Sequence, residues 1–415
     1  MASAFVDSFS ENFSEVQDPR TRPVDNPLEE ILFLSVCATI AGADGPSDIE
    51  EFGWTHLAWL RRFFPLANEV PSHDTISRVF ALLKPREFQQ AFLNWIGSFN
   101  LSDDGENGLR LIPIDGKTLR GSGTKEHSPL HLVSAWACQD GLLLGQVAVN
   151  NKSNEITAIP ELLRMIELRG ALVTIDAMGC QKEIAKDIVQ DGGEYVLAVK
   201  NNQPKLHDAL EAFFDEALEN DFEQDGCRRH ETSEVSRGRE ETRQFVVAPI
   251  PESMTAFKKH WRGLRSVGRA LSMVECDGKV TAEVRYYILS TEPKVKQFAN
   301  AVRKHWSIEN GLHWVLDVVF NEDASQIEVG HGPENFGFLR RFVISLLKRD
   351  TSEGSLRRKR KRAAWDIDFL ESVLKNLSFL MRWPWASRVG ALQRLPGPLL
   401  VSQEPSDCSR TSLRQ

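Results

Sequence analysis

The stretch Leu109-Arg110-Leu111-Ile112-Pro113-Ile114-Asp115-Gly116-Lys117-Thr118 decides the fold. A short apolar run bounded by turn-forming residues has the length of a buried strand. This one ends on an aspartate, followed at once by glycine and a basic residue. The pattern returns at Ala171-Leu172-Val173-Thr174-Ile175-Asp176-Ala177-Met178-Gly179. A third carboxylate, Glu309, stands in a helical pattern from Val295 to Phe320. There Phe298, Val302, His305, Glu309, Leu312 and Leu316 recur at three- and four-residue intervals. One aspartate after a strand is usually a turn or cap residue, and one glutamate on a helix is usually an exposed face residue. The combination reads differently, because Glu309 lies among His305, Trp306, His313 and Trp314. A carboxylate buried in such company is costly unless it is paired or ligates a metal.

Two strand-end aspartates and a helical glutamate are suitable ligands for magnesium or manganese, hard cations that prefer carboxylate oxygen and keep several waters. Two such ions about 3.5–4 Å apart can activate an attacking oxygen and stabilise the leaving one in an in-line phosphoryl displacement. Without metal, the three acids would repel and raise one another's pKa. A competing reading takes His305, Glu309 and His313, four apart on one helix face, as zinc or iron ligands. The His-Glu-x-x-His pattern usual for a catalytic zinc helix is absent. Gly121-Ser122-Gly123 lacks the nucleophile-elbow pattern, and no phosphate-loop or dinucleotide fingerprint occurs.

The rest of the chain is consistent with a globular protein of two or three domains. Its 415 residues are 41% hydrophobic and 26% charged, which excludes a disordered or membrane-embedded chain. No apolar run approaches the roughly 20 residues of a membrane helix, and the start lacks the basic and apolar regions of a secretory signal. Six cysteines without CxxC spacing suit reduced thiols in the cytoplasm better than a zinc ribbon or a disulfide framework. The net charge of −8 does not itself point to a polyanion. The charge distribution does: Arg340, Arg341, Lys348 and Arg349 lead into the unbroken run Arg357, Arg358, Lys359, Arg360, Lys361, Arg362.

Residues 1–105 read as helical. A helix over Ile31–Ala41 is followed by one from Ser47 carrying Trp54, Leu57, Leu60 and Phe63. A third helix begins near Ser72 with His73 and Arg78 in its first turns. This order resembles a helix-turn-helix that offers a helix end to a DNA major groove. The turn-rich stretch 100–108 marks a boundary. Beyond it, strands and helices alternate as in a mixed sheet with helices on its faces, an α/β class. The expected organisation is a core over 106–225 and 284–350, a β-rich insertion over 226–283, a basic helical segment over 351–385 and a disordered tail over 386–415.

Ile112-Pro113-Ile114-Asp115-Gly116-Lys117, Val173-Thr174-Ile175-Asp176-Ala177-Met178 and Arg303-Lys304-His305-Trp306-Ser307-Ile308-Glu309-Asn310, with Leu312-His313-Trp314-Val315-Leu316-Asp317, resemble the bacterial insertion-sequence DDE transposases. The resemblance is to the H-repeat-associated (ISAs) branch and extends over Asp18–Asp350, including Cys37–Gly45 and Ser72–Thr75. It implies a ribonuclease-H-like core in which Asp115, Asp176 and Glu309 are catalytic and bind two Mg2+ or Mn2+ ions. The long interval between Asp176 and Glu309 fits relatives with a β-rich insertion there. The implied activity is cleavage of transposon ends and transfer of the 3′ hydroxyl into target DNA, by at least a homodimer, on the nucleoid of a bacterial cell. The implied partners are terminal inverted repeats and target DNA, with no membrane.

Related enzymes carry Tyr, Arg and Lys where this chain has Val302, His305 and Leu316. The expected phosphate-binding cations are therefore Lys117, Lys200, Arg303, Lys304 and His305 near the site, and Arg357, Arg358, Lys359, Arg360, Lys361 and Arg362 beyond it. Gly116-Lys117 reads as a turn allowing close DNA approach. The alternatives are a transposase-derived DNA-binding protein without strand transfer, or a metal-dependent nuclease that cuts without joining.

Overall fold

The computed structural model describes residues 2–21, 24–97, 108–123, 127–149, 155–223, 226–236 and 238–375. Six helices come first: α1 (Ala2–Phe13), α2 (Leu28–Ala41), α3 (Pro46–Thr55), α4 (Leu57–Leu60), α5 (His73–Leu82) and α6 (Pro85–Gly97). In α2 every residue except Glu29 is buried, as expected of a helix apolar on all sides. The helix read from Ser47 through Phe63 breaks at His56, where the backbone leaves helical geometry, and resumes as α4. The Ser72 side chain caps α5 by accepting from the Thr75 N–H.

The sheet then forms from β1 (Arg110–Thr118), β2 (His131–Ala137), β3 (Leu142–Val149), β4 (Ala171–Ile175), β5 (Glu194–Val199), β6 (Arg228–Ser236), β7 (Arg239–Pro249), β8 (Ser266–Cys276) and β9 (Lys279–Leu289). Helices α7 (Glu155–Leu163), α8 (Lys182–Gln190) and α9 (Pro204–Glu219) alternate with its central strands. The strand order is β3-β2-β1-β4-β5-β9-β8-β7-β6. Strands β1, β4 and β5 are parallel, and all other pairings are antiparallel. The first five strands form the ribonuclease-H-like arrangement. The meander β6–β9 continues the same sheet, because β9 pairs directly with β5.

The chain closes through α10 (Val295–Ile308), a π turn (Glu309–His313), α11 (Trp314–Val319), α12 (Gly332–Arg349), α13 (Leu356–Trp365) and α14 (Ile367–Lys375). The single helix read over Val295–Phe320 is thus interrupted at Glu309. The end of the expected basic helical segment and the expected tail, residues 376–415, lie outside the described residues.

Alternation along the strands separates two packed faces. Ile112, Ile114, Val173 and Ile175 pack against α7–α9. Leu111, Leu172 and Val196 pack against Phe298, Ala301 and Val302 of α10. A third apolar core joins the N-terminal helices to α12, with Phe92–Phe342 and Phe80–Phe336 ring centroids 4.2 and 4.3 Å apart. The helical N-terminus and the last helices therefore share one interior.

Candidate active site

Ile114 and Ile175 are partners in the parallel pairing of β1 with β4. The residues that follow them, Asp115 within β1 and Asp176 just past β4, therefore sit at one level of the sheet; Asp115 is not the strand-end residue that the sequence suggests. By parity Asp115 faces α10, as Leu111 does. Its Oδ1 accepts the Gly116 N–H at 2.9 Å. The Asp176 Oδ1 accepts from Met178 N (3.0 Å) and Gly179 N (3.4 Å), which fixes the loop leaving β4.

Glu309 opens the π turn, a rare winding that recurs at functional sites. His313, four residues on, is buried, and its Nδ1 lies 3.6 Å from Asp115 Oδ2 and 3.4 Å from Glu309 Oε2. Ligand-capable atoms of Asp115, Glu309 and His313 all lie within 4.8 Å of one another. Burial pushes the Asp115 carboxyl up to about 6, and the charges of Glu309 and Asp176 act the same way, against His313 and the Gly116 N–H. A carboxylate so poorly compensated by protein groups suits a cation, and the carboxylate-rich donor set fits a hard divalent metal.

The other expected site residues divide. His305 turns to β4, with Nδ1 3.0 Å from Thr174 Oγ1. Burial lowers its pKa to about 4, outweighing the field of Asp176, so the imidazole is neutral. It therefore neither joins Glu309 and His313 as a zinc triad nor offers a charge to phosphate. Lys117 is also a correction. It is buried, with Nζ 2.7 Å from Asp317 Oδ1 and 2.9 Å from Asp323 Oδ1, so its charge is held inside the protein. Gly116 is not in a turn, because β1 continues to Thr118. A Cβ at Gly116 would overlap the buried His131 imidazole and Glu155 carboxylate, which pair at 2.7 Å.

Lys200 is exposed just beyond β5 and lines a small cavity with Thr174 and His305. Arg303 is exposed and pairs with Glu234 of β6, and Lys304 is half-buried. A groove of about 1030 Å³ runs along β7–β9 to Glu309, past Arg243, Arg285 and Trp306. The Arg285 guanidinium stacks 4.0 Å over the Trp306 ring. Val302 and Leu316, at two of the departures from related enzymes, are core residues.

The basic run is helix α13, and its periodicity splits it. Arg357, Arg358, Lys361 and Arg362 are exposed. Lys359 and Arg360 are buried, the first 3.1 Å from Asp350 Oδ2 and the second 2.7 Å from Asp44 Oδ1 and 4.2 Å over the Phe320 ring. Arg340 and Arg341 are likewise interior; Arg341 pairs with the fully buried Glu322 at 2.7 Å. Helical spacing alone could have flagged Asp317, one turn beyond His313. Its partner Lys117 could not have been found that way.

The strand order and the acids of two adjacent parallel strands define a ribonuclease-H-like protein with a candidate divalent-metal site. The family described as Transposase DDE domain matches residues 106–346, and the one described as DDE_Tnp_1-associated matches residues 10–96. The chain belongs to the DDE transposase family, whose chemistry depends on divalent metal.

Among its relatives is the "H repeat-associated putative transposase YhhI" of Escherichia coli (strain K12), 42% identical over 88% of this chain and 97% of that protein. The "Putative transposase YncI" of Escherichia coli O157:H7 is 42% identical over 90% of this chain and 96% of its own length. The "Putative protein YbfL" of Escherichia coli (strain K12) is 41% identical over 88% and 97%. Among the described residues no helix is long and apolar enough to cross a membrane.

Proposed function

We propose that this chain cleaves DNA at transposon ends and joins the exposed 3′ hydroxyl to target DNA, with Asp115, Asp176 and Glu309 holding two Mg2+ or Mn2+ ions. The observation that supports the reading is the register match of Ile114 with Ile175, which puts Asp115 and Asp176 at one level on neighbouring strands, with Glu309 and His313 gathered at Asp115. When bound, such ions supply Lewis-acid stabilisation and an activated oxygen nucleophile. Asp115 and Asp176 hold their carboxylates on neighbouring strands, which restricts their relative motion. Glu309 closes the third side, and His313 orients Asp115 and Glu309 through its Nδ1.

Lys200, Arg303 and Lys304 would receive phosphates beside the site, and Arg357, Arg358, Lys361 and Arg362 would hold DNA further away. The helical segment over 1–105 would hold DNA as well. Processing two ends and a target would take at least a homodimer.

The test is cleavage and joining of a labelled duplex carrying the DNA that flanks the coding sequence, with Mg2+ or Mn2+. Asp115→Ala, Asp176→Ala and Glu309→Ala are each expected to lower both steps on the order of a hundredfold to a thousandfold, the scale of removing one preorganised charge at a reacting centre. Full activity in any one removes that residue from the site. Salt-dependent DNA binding without metal-dependent cleavage supports the DNA-binding reading instead, and cleavage without joining supports a nuclease.

A further inference from the structure

The π turn bearing Glu309 is flanked by two side-chain tethers, each to a strand that carries one of the aspartates. Before it, His305 of α10 meets Thr174, two residues ahead of Asp176. After it, Asp317 of α11 meets Lys117, two residues beyond Asp115. His305, Glu309, His313 and Asp317 follow one another at four-residue steps. Two residues along a strand advance roughly 6.4–6.8 Å, and four along a helix about 6 Å. The contacts Asp115–His313 and Lys117–Asp317 therefore form two matched rungs between β1 and the helix. Turning the helix by one residue, about 100°, would break both. A π turn lacks the regular i→i+4 bonding that would otherwise transmit this orientation.

We propose that the Lys117–Asp317 pair is a positioning device that sets the register of the Glu309-bearing helix on β1, and so holds Glu309 and His313 against Asp115. Lys117 Nζ also donates to Asp323 Oδ1 at 2.9 Å, and Glu322, at 3.9 Å and paired with Arg341, adds negative charge beside the ammonium. The consequence for metal binding rests on the function proposed above. The register itself does not.

The test uses the full chain without metal, comparing wild type with Lys117→Met, Lys117→Arg and Asp317→Asn. Amide hydrogen exchange is expected to rise at 309–319 in Lys117→Met and Asp317→Asn, to stay unchanged in α9, and to return toward wild type in Lys117→Arg. Mn2+ titration is expected to show affinity lowered about tenfold or more in the first two variants, the scale of losing an outer-shell partner. Unchanged exchange at 309–319 overturns the proposal, as does loss of protection throughout the chain in both variants. Faster exchange with unaltered Mn2+ affinity overturns the positioning role. A wild type whose Mn2+ binding is absent, or insensitive to Asp115→Ala, counts against the proposed function, while the exchange measurement still decides the register.

Discussion

Asp115 Oδ2 and His313 Nδ1 face each other at 3.6 Å across the gap between β1 and the π turn. The carboxylate is largely withdrawn from water, and its compensation is incomplete, because Glu309 and Asp176 add negative charge around it. Its protonation therefore couples to folding.

In the metal-free protein Asp115 titrates near 6, above its ordinary 3.8. Between about pH 4 and pH 6 the folded chain binds more protons at this site than the unfolded chain. The stability contributed by the site is full below that window and is lost as pH rises through 6. Asp115→Asn is expected to remove this slope and to be more stable than wild type at pH 7 without metal, by up to about 3 kcal/mol. Urea unfolding at pH 7 and pH 4 measures it, and a variant no more stable at pH 7 than at pH 4, relative to wild type, refutes it.

His305 has the opposite sign. Its folded value of about 4 lies below the ordinary 6.5, so the neutral ring is favoured and stability is lost as pH falls from 6.5 to 4. The loss from pH 7 to pH 5 attributable to this residue is up to about 2 kcal/mol. His305→Gln should flatten that part of the acid slope in the same unfolding experiment. An unchanged slope would mean that the ring titrates alike in the folded and unfolded chains and would refute the lowered value.

Gly116 has no room for a side chain, because the His131–Glu155 pair occupies the space. Gly116→Ala is expected to destabilise by about 1–3 kcal/mol, the usual cost of overpacking. It should also weaken Mn2+ binding by shifting Asp115. Wild-type thermal stability in this variant would contradict the geometry.

Within α13, adjacent basic residues should behave as two classes. Arg360→Ala removes a buried guanidinium that pairs with the half-exposed Asp44 and donates to the Thr39 and Ala43 carbonyls, and is expected to cost about 1–3 kcal/mol of stability. Arg358→Ala and Lys361→Ala should leave stability nearly unchanged. Each is expected to weaken DNA binding across sequences and to reduce the slope of log affinity against log salt by about 1. Mobility-shift titrations at several salt concentrations distinguish the classes, and identical slopes for wild type and the exposed-residue variants would remove α13 from the DNA surface.

The strands β1–β5, the hairpin and the alternating helices were legible from local pattern, although β1 runs on past Asp115 to Thr118. Apolar runs, period and turn residues are written within a dozen positions of one another. Lys117 was misread because its partners Asp317 and Asp323 lie about 200 positions away in the sequence, and its neighbours in the chain do not show whether it faces solvent or an acid within the fold. Lys359 and Arg360 were misread for a related reason: a run of six cations hides which side of the helix the core will take. The π turn and the rotation of His305 toward Thr174 left no local trace either.

The class of fold and the family were written in the sequence, because strand and helix periodicities and the motif spacings are local properties of the chain. Which charges are exposed and which interior, which histidine joins the acids, and how the Glu309 helix docks on β1 came from tertiary packing alone. Those depend on sheet register and helix docking, which bring together residues that share no sequence neighbourhood.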